Sequence, residues 1–144
     1  MSEYLNIYLL PKKSKEGEKK EPMYIASYSR NSDVFQAITD EVCTPFGGED
    51  YTELTTDDMN RVCKAQADEE KKQNERITTR IKTLRSVTNS DVAEGILGEL
   101  DNLIKYRDEL QDTLDELRHI QWLTECAYDK YFAPDFEGVV MNRG

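Results

Sequence analysis

The sequence predicts an α+β protein: a small antiparallel β-sheet with one short covering helix, together with a long antiparallel helical hairpin of coiled-coil type. Three observations carry this reading. Residues 4–10 and 23–29 alternate in polarity and are rich in β-formers. Thr55 is followed three residues later by Asp58 at the head of a long run of good helix formers, the pattern of a capping box. Between Val92 and Phe132, Ile96, Leu100, Leu103, Leu110, Leu114 and Leu117 fall four and three residues apart, with Arg107 in the one polar slot, which is a heptad seam.

The two alternating segments form a β-hairpin across the polar stretch Pro11–Pro22, which carries Gly17. In the first strand Leu5, Ile7 and Leu9 point one way and Tyr4, Tyr8 and Leu10 the other; in the second, Met23 and Ile25 oppose Tyr24 and Tyr28. One face is therefore expected to be aliphatic and the other tyrosine-rich. Asn31-Ser32-Asp33 is an N-cap cluster, and Val34, Ala37, Ile38 and Val42 keep helical spacing until Pro45 and the Gly47-Gly48 pair. This short amphipathic helix is expected to cover one face of the hairpin.

The helix announced by Thr55, with Leu54 placed to staple onto Met59, runs to about Ser86. Val87–Asp91 holds Thr88, Asn89 and Ser90, any of which could cap the next helix, so a tight turn separates two arms of roughly 45–60 Å at ~1.5 Å per residue. Gly95 and Gly98 near that turn each lower helix propensity by about 1 kcal/mol relative to alanine. Beyond Leu117, Ile120, Trp122, Leu123, Cys126, Ala127, Tyr128, Tyr131 and Phe132 spread apolar groups around most of the helix, which predicts burial on most faces. After Pro134, Gly138–Met141 is expected to add a third strand to the hairpin. The organisation is thus a head from residues 1–50, a helical hairpin over 55–132 and a tail, 133–144, packing on the head.

Composition narrows function. The chain of 144 residues carries 29 acids against 19 Lys and Arg, a formal charge of -10, which disfavours nucleic acid and anionic membrane as partners. Cys43, Cys63 and Cys126 are odd in number, widely spaced and free of any C-x-x-C, as expected of buried, inert thiols in a reducing cytoplasm. The apolar run Leu5–Leu10 is interrupted by Asn6 and has no basic residue before it, so neither a signal peptide nor a membrane span is expected.

No motif points to catalysis, a cofactor or a metal. Glu116-x-x-His119 has di-iron spacing, but His119 is the single histidine and both residues fall on the outer face of the seam. Glu109-x-x-Asp112 with Glu69 and Glu70 resembles the paired-carboxylate helices of all-α nucleotide pyrophosphatases of the MazG kind, yet Gln73 stands where the first element needs its third acid. Phe46-Gly47-Gly48-Glu49-Asp50 reads as a turn. Lys12, Lys13, Lys15, Lys19 and Lys20 make the hairpin loop locally basic, interleaved with Glu16 and Glu18, as befits a solvated loop. The general type, a small acidic protein with a coiled-coil arm, is one met among phage and mobile-element accessory proteins.

The functional expectation is a non-catalytic interaction or assembly module that self-associates through the helical hairpin. The centre of the first arm offers Gln66, Glu70 and Gln73 to an apolar second arm, so a homo-oligomer is expected to bury Leu103, Leu110 and Leu114 around Arg107, itself held by Glu70 or Gln73. The alternative is a binding protein that uses Tyr4, Tyr8, Tyr24 and Tyr28 as one face for a small ligand or nucleotide.

Overall fold

A computed structural model describes residues 3–12, 21–42, 50–131 and 133–144. In chain order the elements are β1 (Tyr4–Pro11), β2 (Met23–Ser29), α1 (Asp33–Glu41), β3 (Thr52–Glu53), α2 (Thr56–Ser86), α3 (Ser90–Tyr128) and β4 (Phe136–Arg143). The strands form one antiparallel sheet in the order β2-β1-β4-β3. The chain divides into two compact units inside the long helices: Met1–Cys63 with Glu116–Gly144, and Lys64–Asp115.

In the sheet-bearing unit the expected hairpin and C-terminal strand are both present. β4 pairs with the side of β1 that β2 leaves free, and the backbones of Tyr4 and Gly144 exchange hydrogen bonds of 2.8 and 3.0 Å. β3 is a strand the sequence reading omitted, since two residues are too few to show a period. The aliphatic face carries Leu5 and Ile7 with Val139 and Met141 opposite, all fully buried. Helix α1 serves that face. Ser32 caps it by accepting from the Phe35 N–H, and Phe35 lies under the Arg143 guanidinium at 5.3 Å, Arg143 being the cross-strand partner of Leu5. Arg143 is held by Glu3, which its Nε meets at 2.7 Å.

The capping box forms as the sequence predicts: the Thr55 N–H donates to Asp58 Oδ2 at 3.0 Å and the Asp58 N–H to Thr55 Oγ1 at 3.1 Å. The staple residues Leu54 and Met59 are fully buried. At the other end α3 stops at Tyr128, short of the expected Phe132, which lies outside the described residues. It is not apolar all round in effect: Ile120, Thr124 and Ala127 line a buried face three and four residues apart, whereas Trp122 is largely exposed, as is Tyr131 beyond the helix. Tyr128 closes the unit. Its hydroxyl lies 2.9 Å from Glu53 Oε1, 3.1 Å from the Leu54 carbonyl and 3.3 Å from that of Val139. A Cβ on Gly138 would sit 2.5 Å from the Tyr128 ring, so only glycine leaves room for it.

In the helical unit, Ile77, Ile96 and Leu100 form a small core flanked by Leu84, Val87 and Leu103. Asn89 caps α3, its side-chain oxygen accepting from the N–H groups of Asp91 and Val92. Where α2 turns polar, glutamines replace leucines as the glue. Gln66 donates its amide to the Leu110 carbonyl at 3.2 Å, and the buried Gln73 donates to the Leu103 carbonyl at 3.0 Å while accepting from Arg76. Gly95 and Gly98 face open space, so no close helix approach within the chain requires them.

The open tyrosine face of the sheet as candidate site

Residues directly opposed in an antiparallel ladder share a face, so the strand register decides which tyrosines belong together. Tyr24 pairs with Tyr8, Tyr8 with Val140 and Val140 with Glu53, forming one row across all four strands. The next row on the same face runs Ser27, Asn6, Asn142. Tyr28 is elsewhere. It pairs with Leu5, and Ala26 with Ile7, because a bulge between the Ile7 and Tyr8 positions leaves Ile25 as the extra residue and reverses the alternation of β2. The expected four-tyrosine face is thereby corrected to Tyr4, Tyr8 and Tyr24, and Tyr28 joins the aliphatic side. There burial first, and then the Glu116 carboxylate and Tyr24, push its phenol above the ordinary range.

The place vacated by Tyr28 is taken by a residue the sequence reading missed. The Tyr51 ring meets Tyr8 edge-on, with centroids 5.3 Å apart and planes at 89°, while Tyr24 meets Tyr8 from the other side at 6.0 Å and 72°. The available signal was Tyr51-Thr52-Glu53 itself, three residues of alternating strand character ahead of the capping box.

Beside the ring row the polar row is ordered. Ser27 Oγ donates to Asn6 Oδ1 at 2.7 Å and Asn6 Nδ2 donates to Asn142 Oδ1 at 3.1 Å, with Asn142 and Val140 buried. The face is open toward β2, where Tyr24 is 58% exposed, and Tyr4 and Tyr51 are exposed as well; along β4 it is closed, with Gly138, Val140 and Asn142 buried and the Tyr128 ring against Gly138. α1 is committed to the opposite face. The arrangement suits stacking and hydrogen bonding by rigid, amphipathic rings.

The seam residues expected to form an oligomer interface are placed differently. Leu110 and Leu114 are only 8% and 4% exposed within the chain, so they are not free to meet a second copy; the Gln66 amide reaches the Leu110 carbonyl across the pair. Leu103 and Arg107 are half-buried. Neither expected partner holds Arg107, because Glu70 accepts from Gln111 and Gln73 is engaged by Arg76. Arg107 instead reaches Asp108 at 3.3 Å, and its buried Nε has no hydrogen-bond partner among the described residues.

Glu116 and His119 are exposed, and among the described residues no three acidic, histidine or cysteine side chains converge in a way that could hold a metal ion. Cys63 is buried, and its thiol is pushed up by that burial. Cys43, the turn at Phe46-Gly47-Gly48 and the lysines from Lys13 to Lys20 lie outside the described residues; the Lys12 backbone N–H donates to the Asp135 carbonyl. Among the described residues no helix is long and apolar enough to cross a membrane. No protein-family model, curated protein or solved structure matches the chain.

Proposed function

We propose that the protein is a non-catalytic interaction module whose contact surface is the open tyrosine face of the sheet. The observation that supports this is the contrast between the faces of β1 and β2: Leu5 and Ile7 are sealed on one side, while Tyr4 and Tyr24 stand exposed on the other, Tyr24 edge-on to Tyr8. Exposed tyrosines lose little rotamer freedom on binding and offer both a ring face and a hydroxyl, which is why binding surfaces favour them. A row of rings spread along β1 and β2, with no enclosing walls of its own, fits an extended segment of a protein partner better than a small molecule or nucleotide. The formal charge of -10 selects for basic segments.

The test is an array of basic, acidic and neutral peptides probed with the wild-type chain and with Tyr24→Ser. Basic peptides bearing an aromatic residue are expected to bind the wild type and to bind the variant roughly tenfold less, as for loss of one interface tyrosine, with the melting temperature unchanged. Equal binding by both chains, or binding confined to acidic peptides, overturns the reading.

A second reading, assembly through the helical hairpin, is favoured by a separate observation. Leu97 on the helical unit is 51% exposed, and Ile104, seven residues on and hence on the same face, is exposed too.

A further inference from the structure

Leu97 directly follows the seam residue Ile96, Ile104 follows Leu103, and Ile81 follows Arg80, which holds the seam position between Ile77 and Leu84. In an antiparallel helix pair the positions that follow these seam residues on the two helices lie along one flank. The Arg80–Glu99 ion pair, at 3.0 Å, bridges the helices on the other. Ile81, Leu97 and Ile104, all exposed, therefore make an apolar strip along one flank of the Lys64–Asp115 unit.

The strip has two differently charged borders. From Lys71 to Arg85, α2 carries six basic residues and one acid; from Asp91 to Asp115, α3 carries eight acids and two bases. One heptad position further out than the apolar strip lie Lys71 and Arg85 on α2, and Glu94 and Asp108 on α3. All four are exposed, and among the described residues Lys71, Arg85 and Glu94 have no ion-pair partner. The hydrogen bonds from Gln66 to Leu110 and from Gln73 to Leu103 set the level of one helix against the other. Continued along the arm, that register brings Arg85 level with Glu94, and Lys71 level with Asp108, to within about one helical turn.

We propose that this flank is the contact surface for a second copy of the chain, with the two arms parallel and related by a two-fold axis running along them. This rests on the assembly reading above and supplies its geometry. Rotation about such an axis lays α2 of each copy over α3 of the other at the same height. Arg85 then faces Glu94 of the second copy, Lys71 faces Asp108 of the second copy, and Ile81 meets Leu97 of the second copy, with every contact made twice. Copies with a charge of -10 each repel in most orientations; this one sets the basic border of each arm against the acidic border of the other. An antiparallel face-to-face pairing would set α2 on α2, basic on basic, and is disfavoured for the same reason.

Two variants test the pairing by light scattering at tens of micromolar. One, Lys71→Glu with Arg85→Glu, has two acidic borders; the other, Glu94→Lys with Asp108→Lys, has two basic ones. Each alone is expected to run as a monomer of 16.7 kDa with unchanged helical content, its dimer weakened by roughly tenfold or more, and a mixture of the two is expected to restore the dimer. A wild-type chain that is itself monomeric overturns both the assembly reading and this pairing. A wild-type dimer that survives either double reversal, or a mixture that stays monomeric, leaves assembly standing and overturns the pairing.

Discussion

The sheet-bearing unit and the helical unit share the same two long helices yet cohere by different means. In the first, α1, the ends of α2 and α3 and the aliphatic sheet face contribute wholly buried apolar side chains such as Phe35, Ile38, Leu54 and Leu117. In the second, a small apolar core of Ile77, Ile96 and Leu100 lies toward the turn and Leu110 and Leu114 are buried further along, and the stretch beside Gln66 and Gln73 is also joined by side-chain amides bonded to backbone carbonyls. Apolar burial is non-directional and tolerates sliding, whereas an amide that must meet a particular carbonyl permits one register. The helical unit thus exchanges cohesion for alignment, which the proposed pairing of two copies at fixed levels would require.

The comparison is broken most sharply by truncation at each centre. Phe35→Ala is expected to destabilise the sheet-bearing unit by about 3–5 kcal/mol, the range for deleting a buried aromatic ring, read as a lowered urea midpoint. Gln73→Ala is expected to cost the helical unit only about 1–3 kcal/mol, because the Leu103 carbonyl keeps its helical hydrogen bond and Arg76 can turn to water. Equal losses at the two sites would mean that the amide seam is as cohesive as the apolar core.

Tyr128 sharpens the comparison through pH. Burial and the hydrogen bond to Glu53 hold its phenol well above the ordinary range. A group that releases its proton less readily in the folded chain contributes stability that is complete below the unfolded value, about 10, and is lost as pH rises above it. The sheet-bearing unit is therefore expected to lose stability in alkali above about pH 10, and Tyr128→Phe to flatten that loss, both seen in melting temperatures from pH 8 to pH 11. An unchanged slope would show that Tyr128 does not dominate the alkaline limb. Smallest in effect, Gly95→Ala and Gly98→Ala are each expected to stabilise the helical unit by about 0.5–1 kcal/mol, since the added methyl meets nothing within 4 Å. Destabilisation by either, measured by hydrogen exchange in α3, would reveal a contact at those glycines.

How much of this was legible depended on how far apart the interacting residues lie. The capping box at Thr55 and Asp58, the Ser32 cap, the alternation of β1 and the heptad of α3 are interactions within a few residues, and the sequence by itself determined them, because propensity, spacing and capping need no knowledge of the rest of the chain. Tertiary structure alone decided which tyrosines share a face, since one bulge at Ile25 reverses the side on which every later residue of β2 lies and nothing in Met23–Ser29 announces it. It alone recruited Tyr51, through pairing of a two-residue strand with β4. It also decided the fate of Leu110 and Leu114. A glutamine opposite a leucine reads as a mismatch in one dimension, but in three its amide finds a carbonyl 44 residues away while both leucines are buried.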